Sequence, residues 1–256
     1  MKCVILAGGR GTRISEESLV KPKPMVEVGE QPILWHIMKI YAEHGVTDFV
    51  VCLGYRGYVV KEYFANYFLH KSDVSIDMRT NDMEFHENRS EPWRVTLVET
   101  GAETQTGGRL LRARRYVGDD TFCLTYGDGL ADVDVQAQIG FHQHHGEIAT
   151  MTVVHPPARF GSAALSEDRV TAFEEKPQTE GGYVNGGFFV LEPAIFDLIE
   201  GDEIALEREP LRHLAQQGQL RAWVHSGFWQ PMDTLREKVL LDKLWNSGLA
   251  PWKSWT

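Results

Sequence analysis

Residues 4–25 read VILAGGRGTRISEESLVKPKPM, so an apolar run, Val4-Ile5-Leu6-Ala7, stops abruptly at Gly8-Gly9-Arg10-Gly11. The run reads as a buried strand that the glycines cannot extend, because glycine loses the most backbone entropy on ordering and has no side chain to pack. The chain therefore leaves the sheet in an open loop. Backbone N–H groups there can face an anion, and Arg10, Arg13, Lys21 and Lys23 supply positive charge beside them. The continuation VKPKPM places each lysine before a proline, which predicts a stiff, extended segment with Lys21 and Lys23 on one side. One of them should reach the crevice and the other its edge.

Strand and helix periodicities then alternate: strand at 2–6, helix at 33–44, strand at 48–53, helix at 57–68. A polar stretch at 69–91 reads as extended or edge structure. Strands follow at 93–99, 121–126, 149–154, 169–174 and 183–191, with helices at 109–117, 193–200, 207–217 and 234–246. This is a doubly wound α/β pattern in one domain of 256 residues, without a linker or repeat, and ligands in such sheets gather beyond the carboxyl ends of the strands. A tail at about 234–256 should pack on that domain or on a subunit interface.

A formal charge of −10 argues against a nucleic-acid partner, so any polyanion must be met locally. Cys3, Cys52 and Cys123 are far apart in apolar runs and read as buried free thiols. No apolar run approaches 18 residues, and the N-terminus lacks a signal-peptide pattern, so the expectation is a cytoplasmic protein with no membrane partner.

Neither common nucleotide motif fits the first loop. Counting from Gly9 and Gly11, the sixth position is Ile14, and no Gly-Lys-Ser/Thr follows. Asp128 lies between Gly127 and Gly129 at the end of a predicted strand, where its carboxylate suits a hard cation. Asp233 reads first as a cap for the next helix. Asp132-Val133-Asp134 imitates a glycosyltransferase metal motif, although Asp128 is better placed. His142, His144 and His145 read as a solvated helix face, and the seven tryptophans, Trp252 and Trp255 among them, as core or subunit contacts.

LAGGRGTR followed by KPKPM resembles the signature of the sugar-1-phosphate nucleotidylyltransferases. TYGDG at 125–129, FEEKP at 173–177, VNGGFFVL at 184–191 and FWQPMDT at 228–234 resemble the same family in the same order, over nearly the whole chain. The resemblance implies a nucleotide-diphospho-sugar transferase fold, Rossmann-like and GT-A-like, with a mixed, mostly parallel sheet. It also implies the branch that joins CTP and glucose 1-phosphate into CDP-glucose and pyrophosphate with Mg²⁺, in a homo-oligomer. By resemblance Leu6, Ala7, Gly8, Gly9, Arg10, Gly11, Thr12 and Arg13 form the nucleotide loop, with Arg13 aimed at the β and γ phosphates and Lys23 near the α-phosphate. Asp128 and Asp233 become the metal aspartates, so Arg13, Lys23 and Asp128 carry catalysis. Lys176 would hold the sugar phosphate and Glu175 a sugar hydroxyl, beside Tyr126, Asn185 and Gly186. The segment TQTGGR, with Thr104, Gly108 and Arg109, would read the nucleobase.

The residue types suit that reaction. A sugar phosphate is already ionised, so its attack on an α-phosphorus needs no general base, and catalysis rests on positioning and on cations. Residues 16–20 have the character of a lid over the nucleotide. UTP or dTTP, or another sugar phosphate, remains open at this level, as do a glycosyltransferase and a nucleotide-sugar sensor.

Overall fold

Strand β1 (Lys2–Leu6) is buried on both faces, with Cys3 and Ile5 in one hydrophobic cluster and Val4 and Leu6 in another. That alternation requires a layer of helices on each side of the sheet. The structure, a computed structural model, describes residues 1–9, 21–156, 162–166, 169–174 and 182–255. Along the chain after β1 come α1 (Ile33–Glu43), β2 (Asp48–Leu53), α2 (Gly57–Ala65), α3 (Tyr67–Lys71), β3 (Arg94–Glu99), α4 (Thr106–Val117), β4 (Phe122–Tyr126) and α5 (Val135–His145). Then follow β5 (Ala149–Val154), β6 (Val184–Leu191), α6 (Glu209–Gln216), β7 (Leu220–His225) and α7 (Leu235–Asn246). The seven strands form one sheet in the order β7-β5-β6-β4-β1-β2-β3. Helix α1 covers the first cluster through Ile33, Ile37, Met38 and Tyr41, and α4 covers the second through Leu110, Ala113 and Val117.

The sheet is mixed. Strand β6 runs antiparallel to β4 and β5, while the other neighbours are parallel. Reversal of β6 brings its first residues, Val184 to Gly187, to the edge where the other strands end. The architecture is the single mixed α/β domain that the sequence implies.

Several details differ from the sequence reading. The KPM segment is a 3₁₀ turn, Lys23–Met25, entered from Pro22 in extended geometry, because a proline is tolerated in the first turn of a helix. Residues Pro193–Leu198 likewise form 3₁₀ structure, and the helix at 57–68 breaks into α2 and α3. Helix α4 starts at Thr106, and its two glycines admit close packing: a Cβ on Gly107 would stand 2.6 Å from the Ile204 carbonyl oxygen, and one on Gly108 would stand 2.5 Å from Asp202 Cα. Strand β7 was not expected, since Leu220–His225 carries only a weak apolar alternation. The polar stretch contains the expected extended structure, a hairpin of Asp73–Asp77 and Asp82–His86. All three cysteines are buried and free. No helix among the described residues is long and apolar enough to cross a membrane.

The tail closes the first cluster. Trp252 is buried, stacks on Phe228 with ring centroids 5.5 Å apart, and donates its indole N–H to His36 Nδ1 at 3.4 Å. The other ring nitrogen of His36 faces the Val28 carbonyl at 2.8 Å, which fixes a neutral tautomer with Nε2 as donor and Nδ1 as acceptor. A second proton on Nδ1 would face the indole N–H. Burial accordingly lowers the His36 pKa from 6.5 to about 4, against the Val28 carbonyl and the Asp242 charge, which favour the cation. Because the unfolded chain binds this proton more readily, stability is complete above the ordinary histidine pKa and falls as pH drops toward 4. Between pH 7 and 4.5 this group should cost about 2 kcal/mol. Urea unfolding at both pH values should show His36→Gln losing that much less stability than wild type over the interval.

Candidate active site

Strand β4 ends at Tyr126 at the carboxyl edge of the parallel strands. A cavity of about 260 Å³ opens there, lined by Tyr126, Asp128, Asn185, Gly186, Trp229 and Asp233 among others. Gly129–Ala131 pairs antiparallel with Trp229–Pro231, with Pro231 opposite Gly129, and the Met232 N–H donates to the Asp128 carbonyl at 2.8 Å. This ladder places Asp233 beside Asp128 although 105 residues separate them along the chain.

Lys23 joins the two. Its ammonium donates to Asp128 Oδ2 at 2.5 Å and to Asp233 Oδ1 at 2.7 Å. Burial alone would lower the lysine pKa, but the Asp128 and Asp233 carboxylates outweigh it, and the net shift is upward. The ammonium therefore stays charged. Lys21 remains at the exposed edge, paired with Glu27 Oε1 at 2.5 Å, so the two lysines divide between crevice and rim. Asp233 is not the cap of α7: Thr234 is, in a capping box with Glu237, which leaves the Asp233 carboxylate directed at Lys23. Two carboxylates converging on one cation form a hard-oxygen donor set of the kind that binds a divalent ion together with phosphate oxygens and water.

The loop after β1 is supported from below. Arg109 is buried, and its Nη1 donates to the Leu53 carbonyl at 3.2 Å, Thr100 Oγ1 at 2.8 Å and the Gly101 carbonyl at 2.7 Å, while Nη2 reaches the Ala102 carbonyl at 3.3 Å. A Cβ on Gly8 would lie 2.0 Å from Arg109 Nη1, and one on Gly54 would lie 2.5 Å from it. Gly8 is therefore constrained by a protein guanidinium, whereas nothing among the described residues lies within 4 Å of a Cβ on Gly9. Leu6 and Ala7 are tied to neighbouring strands, the Leu6 carbonyl accepting from Gly127 N–H at 3.1 Å and the Ala7 N–H donating to the Cys52 carbonyl at 3.0 Å.

Across the cavity, Asn185 Nδ2 donates to the Tyr126 hydroxyl at 2.9 Å, and that hydroxyl donates to Glu207 Oε1 at 2.6 Å. The Gly187 N–H donates to Asn185 Oδ1 at 2.8 Å, and Gly187 has φ +84° with a Cβ position 2.8 Å from the Tyr126 ring, so only glycine fits. Trp229 donates its indole N–H to the Gly186 carbonyl at 2.7 Å. Trp229 lies inside the FWQPMDT motif, but nothing in the sequence marks Glu207, which the sequence reading makes the first residue of the helix 207–217 and which lies two residues before the observed start of α6 at Glu209.

Thr104, Gly108 and Arg109 lie together at the start of α4; Tyr126, Asp128, Asn185, Gly186 and Asp233 share the cavity, and Lys23 touches two of them. Arg10, Gly11, Thr12, Arg13, Glu175, Lys176 and the lid segment 16–20 lie outside the described residues. The Asp132-Val133-Asp134 motif is occupied structurally: Asp132 Oδ1 pairs with His225 at 3.0 Å, and Asp134 caps α5 by accepting from Ala137 N–H at 2.8 Å. The expected solvated histidine face is corrected, because His142 is buried between Thr150 Oγ1 at 2.8 Å and Glu192 Oε1 at 3.0 Å, and His145 also reaches Thr150. Only His144 is exposed. That helix packs on β5, so His142 and His145 are bound by Thr150 of that strand.

Residues 2–230 match the nucleotidyl transferase family. Glucose-1-phosphate cytidylyltransferases of Salmonella typhi and of Salmonella typhimurium strain LT2 are each 60% identical to this chain over all of both sequences. Among solved structures, a UDP-glucose pyrophosphorylase complexed with UDP-glucose superposes with a TM-score of 0.70 over 96% of this chain and 98% of that one, and at 16% identity it shows the shared fold alone. Nucleotidyl transferases generally use a divalent metal. A chain with that family match, a full-length identity of 60% to sugar-1-phosphate enzymes and this mixed sheet belongs to the nucleotidyl transferase family and is a sugar-1-phosphate nucleotidylyltransferase.

Proposed function

We propose that this chain transfers the cytidylyl group of CTP to α-D-glucose 1-phosphate, forming CDP-glucose and releasing pyrophosphate, with Mg²⁺ as the metal. The observation that carries the chemistry is the Lys23 ammonium held between the Asp128 and Asp233 carboxylates at a strand-end cavity. Base and sugar are supported by the full-length similarity to the two Salmonella cytidylyltransferases.

In this reading the nucleotide lies over the loop Leu6, Ala7, Gly8, Gly9, Arg10, Gly11, Thr12 and Arg13, and its triphosphate is gripped by Arg13 and Lys23. Asp128 and Asp233 would hold Mg²⁺, which when bound offsets charge on the phosphate oxygens. Thr104, Gly108 and Arg109 border the base. Glu175 and Lys176 hold the sugar phosphate, with Tyr126, Asn185 and Gly186 on the sugar ring. The phosphate oxygen of glucose 1-phosphate attacks the α-phosphorus, the bond from that phosphorus to the bridging oxygen breaks, and pyrophosphate leaves. Lys23 lies where charge accumulates during the displacement, and a preplaced cation needs no reorganisation at that moment. The enzyme would work in the cytoplasm as a homo-oligomer, for which the hairpin of Asp73–Asp77 and Asp82–His86 offers exposed Ile76, Met83 and Phe85.

Pyrophosphate release from glucose 1-phosphate and Mg²⁺ should be fastest with CTP when CTP, UTP, dTTP, ATP and GTP are compared. Equal or greater turnover with UTP or dTTP would remove the base assignment while leaving the reaction class. Asp128→Asn should lower kcat about 100-fold or more with little change in thermal midpoint, the scale for losing one electrostatic element of a preorganised site. Turnover within tenfold of wild type would exclude Asp128 from the metal site. Sedimentation of the purified chain at micromolar concentration should show an assembly larger than the 29.0 kDa chain, and a monomer would refute the oligomer.

A further inference from the structure

Glu207 stands outside the Lys23 cluster, where the sugar side and the base side of the site meet. Its Oε1 accepts the Tyr126 hydroxyl at 2.6 Å, and its Oε2 accepts the Thr106 hydroxyl at 2.5 Å. Tyr126 closes β4 beside the cavity, and Thr106 opens α4 directly after the TQ of the base-reading segment. A carboxylate only accepts, so both hydroxyls must donate to it. The Tyr126 oxygen is then left to accept, which sets the Asn185 amide with its NH₂ toward Tyr126 and its carbonyl toward the Gly187 N–H. Burial, and after it the nearby Glu207 charge, push the Tyr126 hydroxyl pKa well up, so it keeps the proton it donates.

The segment that carries Glu207 is itself docked on the first turn of α4. The Gln105 N–H donates to the Asp202 carbonyl at 2.8 Å, the Gly108 N–H to the Ile204 carbonyl at 3.2 Å, and the Leu206 N–H to Thr106 Oγ1 at 2.9 Å. Leu206 is fully buried in the second hydrophobic cluster. Two backbone donors at the start of α4 are thus engaged by protein carbonyls, and Glu207 is presented from an anchored neighbour although its own side chain faces solvent.

The geometry points to Glu207 as a positioning residue that holds the Asn185 amide on the sugar side and the first turn of α4 on the base side in one register, a role that rests on the functional reading above. It touches neither substrate in this account. It acts through Tyr126 toward glucose 1-phosphate and through Thr106 toward the nucleotide.

Steady-state kinetics with both substrates, read together with thermal midpoints, test this. Glu207→Ala should raise KM for glucose 1-phosphate about fivefold and KM for CTP about threefold, the scale of one charge-assisted hydrogen bond discounted for solvent exposure. Its thermal midpoint should stay within about 2 °C of wild type. Glu207→Gln, which keeps one acceptor oxygen but turns an NH₂ donor toward the other hydroxyl, should raise the KM values less than Glu207→Ala does. In a Tyr126→Phe background the effect of Glu207→Ala on glucose 1-phosphate should vanish while its effect on CTP persists, and in a Thr106→Val background the pattern should reverse. If Glu207→Ala proves unstable, Tyr126→Phe and Thr106→Val alone must separate the two KM effects. Unchanged KM values, or a fall in kcat that merely follows a lost active fraction, would overturn the proposal. A wild-type protein that releases no pyrophosphate from CTP and glucose 1-phosphate would overturn the functional reading first, and this role with it.

Discussion

One ammonium ties together three distant parts of the chain. Lys23 follows the first loop, Asp128 follows β4, and Asp233 precedes α7, and the lysine bonds to both carboxylates. Two carboxylates brought this close repel each other, and taking either from water is costly, so the fold can juxtapose them only with a cation between. The packing around them follows from that requirement. Pro22 and Pro24 stiffen the approach of Lys23, the short ladder of Gly129–Ala131 with Trp229–Pro231 fixes the distance between the aspartates, and the Thr234 cap frees Asp233 from service to its helix.

A second cation serves the opposite purpose. Arg109 also lies in the interior, but it bonds to neutral carbonyls and one hydroxyl and has no carboxylate among those partners. Burial lowers its pKa, yet a guanidinium stays protonated across the physiological range. Its charge is therefore carried into the floor of the glycine loop, directly under Gly8 and Gly54, where any side chain would displace it. Gly8 thus makes room for the protein's own arginine, while a Cβ on Gly9 would meet nothing within 4 Å among the described residues.

Much of the frame was legible because it depends on local periodicity. The strand Lys2–Leu6, the helix covering it and the carboxyl-edge location of Asp128 follow from apolar spacing and from glycine punctuation. What local pattern cannot carry is pairing. The partnership of Asp233 with Asp128 depends on a three-residue ladder, and the placement of Asn185 depends on the reversed direction of β6, neither of which has a signal in the residues themselves. The histidines of α5 fail for the same reason: whether His142 meets water or Thr150 is decided by a strand that packs on the helix later in the chain. Glu207 was invisible because, at the start of the predicted helix 207–217 and near Glu203 and Glu209, it resembles any solvated glutamate of a helix end.

The electrostatics of the cavity bear on how a chain of net charge −10 accepts polyanions. Around the convergence point the described residues contribute two carboxylates and one ammonium, which leaves one net negative charge facing the incoming phosphates. At effective dielectric constants near a protein surface, a unit charge at about 4 Å is worth roughly 4 kcal/mol, enough to weaken phosphate binding severely if left uncorrected. A divalent cation on the two carboxylates would reverse the sign of that local charge. Metal and triphosphate are therefore expected to bind with positive coupling, because each relieves the repulsion that opposes the other. Lys23 would then serve twice: it holds the two aspartates together by its own hydrogen bonds, and it would add to the positive field if they held a metal.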